Sequence, residues 1–255
     1  MTSPPQAAPN AQPPSSDWTA LCRIGGIAAY ILILYSLATM VQMVVLGGPP
    51  TSAAQAFALL HQNKALGLLR LDLPTVCAMP LYYLLFLGLF AALRQVHTAR
   101  ATLATALAFV GITLVLATPT ALSLVPLSDR YAAAATDALR SQLLSAGEAL
   151  MAADIWHGTG AILGGVLLQC GAVLICLVML RGGVFGKATA WLGIVMHSLD
   201  LAHIVSGQFV PVLGIVFMAI AGPLYPVWLF LVGRRLMRFA KRRTPANFPD
   251  ANSAM

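Results

Sequence analysis

Gly158-Thr-Gly-Ala-Ile-Leu-Gly-Gly-Val-Leu-Leu-Gln-Cys-Gly-Ala-Val-Leu-Ile-Cys-Leu-Val-Met-Leu180 is 23 residues long and carries no charge. A helix of that length, rising about 1.5 Å per residue, spans about 35 Å, enough to cross a hydrocarbon layer about 30 Å thick. Lipid offers no partner to an open backbone, so a run of this kind must close its hydrogen bonds within itself, as a helix. Five further runs share the pattern, at residues 24–46, 71–93, 101–124, 188–205 and 210–232. The fifth run in chain order, 188–205, is the weakest, being short and carrying His197, Asp200 and His203.

The whole chain agrees with its parts. Of 255 residues, 59% are hydrophobic and only 9% charged, with a mean hydropathy of +0.82. A soluble domain carries about 25% charged residues, so a water-facing fold is excluded. The expected fold is all-α: a polytopic membrane bundle of six transmembrane helices, residues 21–236, with two extracytoplasmic helical loops. Residues 1–20, with five prolines, read as a disordered cytoplasmic tail rather than a signal peptide, since no basic stretch precedes the apolar run. Residues 237–255 read as a basic cytoplasmic tail.

Charge sets the orientation. With the N-terminus cytoplasmic, the inner side holds Arg23, Arg94, Arg100, Arg181, Lys187 and the six of the C-terminal cluster, eleven in all. The outer side holds four, Lys64, Arg70, Arg130 and Arg140. That excess predicts both termini inside a plasma membrane. The cluster Arg234, Arg235, Arg238, Lys241, Arg242 and Arg243 suits anionic lipid headgroups at about 1 kcal/mol per charge, and its juxtamembrane position argues against nucleic acid. Cys22, Cys77, Cys170 and Cys176 form no C-x-x-C and read as apolar thiols.

Both long connections, 51–70 and 129–153, fall outside. The second reads as one helix, capped by Ser128 or Asp129, lying on the membrane or over the bundle. Gly160-x-x-x-Gly164, with Ala161 and Gly165, gives the fourth span a flat face that suits close helix packing more than dimerisation. Gln42, Gln169 and Thr113 read as polar glue at about 0.6 kcal/mol each.

The chemistry is confined to a few groups. Asp72, Glu148, Asp154 and Asp200 all lie toward the outer ends of spans; His157 follows Asp154 by three residues, and His197 and His203 flank Asp200 by three. A spacing of three puts side chains about 60° apart on a helix and about 4.5 Å along it, so each Asp shares a face with its histidines. An intramembrane Asp is costly, about 2.5–3.5 kcal/mol at the centre, and calls for a partner.

Three readings compete. In the first, a structural or regulatory membrane protein, Asp200 and Asp154 pair with His203, His157 or Arg70 and fasten helices. In the second, Asp154, His157, Asp200 and His203 ligate a metal, zinc if any, in an intramembrane hydrolase with Glu148 as base, while Asp72 and His197 complete the polar cluster. In the third, Asp200 and the histidines relay ions or protons in a small transporter. The third gains from a division into two halves of three spans in opposite orientation, each with a proline-interrupted last member, at Pro119 and at Pro223 and Pro226.

Three stretches carry a resemblance. They are Leu127-Ser-Asp-Arg-Tyr-Ala-Ala-Ala-Ala-Thr-Asp-Ala-Leu-Arg-Ser-Gln-Leu-Leu-Ser-Ala-Gly-Glu-Ala-Leu150, Phe185-Gly-Lys-Ala-Thr-Ala-Trp-Leu-Gly193, and Gly222-Pro-Leu-Tyr-Pro-Val-Trp-Leu running into Gly233-Arg-Arg-Leu236. Over about residues 20–240 the chain resembles the uncharacterised bacterial six-span proteins grouped as domain of unknown function 4386. The resemblance implies a bacterial plasma-membrane protein with six helices, brings no activity with it, and draws Glu148 into a family-like stretch.

Overall fold

Apolar runs too long for a soluble helix become the six walls of the molecule. A computed structural model describes residues 16–243; the expected tails at 1–15 and 244–255 lie outside the described residues. The helices are α1 (Ser16–Val45), α2 (Ala53–Gln62), α3 (Lys64–Leu71), α4 (Leu73–Leu93), α5 (Thr98–Leu116), α6 (Leu124–Ala132), α7 (Asp137–Ala152), α8 (Thr159–Arg181), α9 (Lys187–Gly207), α10 (Pro211–Ala221) and α11 (Leu224–Arg243). A short 3-10 turn, Ala121–Ser123, precedes α6, and the described residues contain no strand. Six stretches are long and apolar enough to cross a membrane: α1, α4, α5 with α6, α8, α9, and α10 with α11. This is a multi-pass membrane protein with an all-α bundle.

Each span packs on the next in chain order, α1 on α4, α4 on α5, α5 on α8, α8 on α9, α9 on α10 and α11, and α11 returns to α1. Packing across the ring, α4 with α8 and with α11, is slight. The tightest seam is α5 against α8, where a Cβ on Gly111 would lie 2.5 Å from the Gly164 carbonyl and one on Gly171 2.6 Å from the Ala104 carbonyl. The flat face of the fourth span therefore serves packing within the bundle, with Gly164 at its centre; Gly160 faces Thr118 and Gly165 faces Ile204.

One end of the ring carries the α4–α5 and α8–α9 turns, the start of α1 and the end of α11. There the Arg94 guanidinium stacks 4.0 Å from the centre of the Trp18 ring, and Arg23, Arg100, Arg181, Lys187, Arg234, Arg235, Arg238 and Lys241 gather at the same end. The opposite end is a cap of α2, α3, α6 and α7 around Phe57, Leu60 and Leu124, with the Phe57 and Tyr131 rings 5.4 Å apart.

Several boundaries differ from the sequence reading. The α1 helix starts at Ser16, inside the expected tail, and α11 runs through 237–243 before the chain leaves the described residues. The connection at 129–153 is not one helix but parts of two: the chain turns at 133–136, where Thr136, not Ser128 or Asp129, caps α7 by accepting from Leu139 N–H at 3.3 Å. Ser128 instead donates to the Phe57 carbonyl and Asp129 pairs with Lys64 at 2.8 Å. The third span stops at Leu116, just before Pro119, and resumes as the 3-10 turn; the sixth breaks at Gly222–Pro223 into α10 and α11.

Candidate functional site: a polar chamber inside the ring

Asp200 lies on α9, 13 residues past its first residue, Lys187, or about 20 Å from the basic end at 1.5 Å per residue. At this depth α8 presents Gln169, the only side-chain amide in its span, and α11 presents Tyr225 just after the break at Gly222–Pro223. The three meet. Tyr225 donates its hydroxyl to Asp200 Oδ2 at 2.8 Å, and the Gln169 amide nitrogen donates to the same oxygen. The Gln169 nitrogen also reaches the Tyr225 hydroxyl at 3.2 Å, and its carbonyl oxygen accepts from His197 Nδ1 at 2.6 Å. Asp200 and His197, three residues apart on one helix face, are thus joined through a side chain of the neighbouring helix.

That pattern fixes proton positions. With the Gln169 nitrogen turned to a carboxylate, its oxygen must accept, so neutral His197 carries its proton on Nδ1. Its Nε2 is then a bare lone pair, buried without a donor among the described residues. His197 is only 4% exposed, and its ring meets Tyr225 and Trp228 edge to face, with centroids 5.7 and 4.9 Å apart.

Two cavities share this floor. One, of about 270 Å³, extends toward Phe86 and Trp228, with Tyr35, Ser36 and Thr39 of α1 on one side. The other, of about 420 Å³, extends to Trp156, Gln208 and Pro211 at the capped end. Met79, Leu168, Gln169, Asp200 and Met218 belong to both walls. Among the described residues no Lys or Arg lines either cavity and no cation forms an ion pair with Asp200. A hydroxyl pair, Tyr35 with Thr75 at 2.9 Å, ties α1 to α4 beside the chamber.

Of the other expected site residues, His203 also lines the larger cavity and the rest lie outside both, and each has a structural partner. Asp154 Oδ1 accepts from the backbone N–H of Trp156 and His157 at 2.8 and 3.0 Å and pairs with His157 Nδ1 at 2.9 Å, a local turn at the start of α8. His203 donates from Nδ1 to the Gly214 carbonyl at 2.9 Å and fastens α9 to α10, and among the described residues no ion pair joins it to Asp200. Glu148 caps α2 by accepting from Ala53 N–H at 2.7 Å, across 95 residues of sequence. Asp72, 4% exposed, accepts from Ala121 N–H at 2.8 Å and secures the 3-10 turn after Pro119. Arg70 donates to the Gly48 carbonyl.

Asp154, His157, Asp200 and His203 therefore do not assemble one donor set, and among the described residues no three His, Cys, Asp or Glu side chains are grouped to hold a metal. Asp154 and His157 are taken up in their own turn, His203 donates its Nδ1 proton to the Gly214 carbonyl, and Asp200 accepts from Gln169 and Tyr225. The sequence reading placed Asp200 and His197 in a polar cluster but gave Gln169 only a fastening role and Tyr225 none. The lone amide in a charge-free span and the tyrosine beside a helix break were the available signals. Neither a family model, nor a curated protein, nor a solved structure matches this chain.

Proposed function

We propose that this protein is a small solute carrier of a bacterial plasma membrane, with both termini cytoplasmic, that takes its solute into the chamber at Asp200. One observation carries the reading: an intramembrane carboxylate, held only by neutral donors, sits where two cavities meet inside a ring of six helices. Ionisable groups at such depth mark solute or ion pathways by default, because the bilayer penalises them by a few kcal/mol. A helix broken beside the site is the other mark of this class, since its freed backbone groups and separate halves suit binding and rearrangement. The larger cavity reaches the capped end, while Trp228 and Phe86, 1% and 2% exposed, close the basic end.

The gathering of basic residues at one end supports that end as cytoplasmic, with Arg234, Arg235, Arg238 and Lys241 exposed toward anionic headgroups and Arg242 and Arg243 continuing the run. Kinship with the bacterial six-span family of domain of unknown function 4386 rests on the three stretches quoted above.

Two experiments test this. In intact cells, a membrane-impermeant maleimide is expected to label Lys64→Cys and not Arg100→Cys in a background without native cysteines; the reverse pattern overturns the orientation. For the chamber, thermal unfolding of the purified protein is followed against a panel of small solutes balanced in charge and size. Met218→Trp serves as the filled-chamber control, because Met218 lines both cavities and is 39% exposed, so a larger side chain is accommodated. Solutes that raise the parent's midpoint and leave Met218→Trp unmoved support the carrier. A panel without one such solute refutes it.

A further inference from the structure

The chamber's lining restricts what can enter it. Asp200 receives both of its protein donors on Oδ2, which leaves Oδ1 for the contents of the cavity. His197 Nε2, at the wall of the smaller cavity, is an acceptor without a donor. The Trp228 indole N–H, on the same wall, is the one donor there without an acceptor among the described residues, so two of these three open positions ask for N–H or O–H donors. Among the described residues no Lys or Arg faces the space, and the two histidines that line it, His197 and His203, each have Nδ1 engaged. An anion would meet a carboxylate with only neutral donors, the Trp228 indole N–H and the hydroxyls of Ser36 and Thr39, to set against the repulsion.

A hard metal cation fits no better. Ca²⁺ takes six to eight oxygens and Mg²⁺ a near-octahedral set, whereas here Gln169 has committed its carbonyl to His197 and, among the described residues, no second carboxylate lines either cavity. An organic ammonium needs only a carboxylate, a few acceptors and apolar or aromatic walls, since its charge is also attracted to aromatic faces. Phe86, Tyr225 and Trp228 supply such faces, with Met79 and Met218 as adaptable wall. Volumes of about 270 and 420 Å³ lie near the lower end of the 300–1,000 Å³ typical of small-molecule pockets, which sets a size well below that of a lipid.

We infer that the chamber binds a small organic monocation, an amine whose ammonium takes Asp200 Oδ1 and whose apolar body lies against Met79, Phe86 and Met218. The inference rests on the chamber reading above and adds the class of its solute.

Three probes of one shape separate the possibilities: 2-phenylethylamine, 2-phenylethanol and phenylacetate, titrated calorimetrically into the full chain in nanodiscs of zwitterionic lipid. The amine is expected to bind at least about tenfold tighter than the alcohol, as a charge-assisted bond to a carboxylate requires, with phenylacetate weakest. Asp200→Asn is expected to erase the advantage of the amine over the alcohol, Asp200→Glu to retain it, and Met218→Trp to remove binding of all three. If amine and alcohol bind alike in the parent, or Asp200→Asn keeps the preference, the cation class is wrong and the chamber stands. Amine binding that survives Met218→Trp places the site elsewhere and overturns the inference. No binding by any probe overturns the inference, and the solute panel described above then decides the chamber separately. Should Asp200→Asn fail to fold, the amine–alcohol comparison in the parent, Asp200→Glu and Met218→Trp decides the question without it.

Discussion

Replacing Gly111 by alanine tests the packing that holds the ring together. A Cβ at Gly111 would stand 2.5 Å from the Gly164 carbonyl oxygen and 2.6 Å from Leu168 N, both rigid backbone atoms, whereas ordinary Cβ contact begins near 3.4 Å. The seam must therefore open by about 0.9 Å. Overpacking of this kind costs about 1–3 kcal/mol, while exchange of Gly for Ala inside a helix returns up to about 1 kcal/mol by propensity. The net expectation is a loss of about 1–2 kcal/mol. Gly164→Ala meets the reciprocal clash, 2.6 Å from the Gly111 carbonyl. Because the two share one crossing, the double variant should lose less than the sum of the singles. Gly171→Ala clashes seven residues farther along α8 and should add to either. Gly183, whose added Cβ meets nothing within 4 Å, is the control, and its alanine variant should stay within about 0.5 kcal/mol of the parent. Reversible unfolding in mixed micelles, followed by circular dichroism, reads the series. Gly111→Ala and Gly164→Ala at parental stability would refute the α5–α8 approach and with it the position of Gln169 in the chamber wall.

Three other substitutions have expected outcomes. Glu148→Ala removes the acceptor at the start of α2 and should cost about 1 kcal/mol, with faster amide exchange at Ala53, whereas unchanged exchange would rule out the cap. Asp72→Ala strands the buried Ala121 N–H and should cost about 1–3 kcal/mol, while Asp72→Asn, which keeps an acceptor, should recover most of it in the same unfolding assay. Tyr35→Phe breaks the hydroxyl pair with Thr75 and should cost about 0.6 kcal/mol, and a loss several times larger would show that the pair does more than tie α1 to α4.

The spans were legible because a charge-free stretch such as 158–180 has no structure open to it in lipid except a helix, whatever its neighbours do. Proline placement was legible for the same reason: Pro119 and Pro223 remove backbone donors, and the chain breaks at both. The site was legible only in part. Asp200 and His197 share a helix face by spacing alone, but which groups of α8 and α11 meet that face depends on how each helix is rotated about its axis, and spans apolar all round carry little record of rotation. Gln169 and Tyr225 were hidden by this. Asp154 misled for a local reason, since a short carboxylate at a helix start prefers nearby backbone N–H groups to a distant partner. Glu148 could not be placed from sequence because its partner lies 95 residues away in a separate loop.

The closure of the ring through α1 and α11 has a consequence for assembly. Spans emerge from the ribosome in chain order, so five of the six neighbouring pairs form between a new span and the one just before it. The sixth pair joins the first span to the last. Until α11 arrives, α1 lacks a neighbour on one side and the carboxylate of Asp200 lacks the hydroxyl of Tyr225. The chamber is therefore the last part of the protein to come into being, and a chain cut at the α10–α11 break would keep five walls and no closed interior.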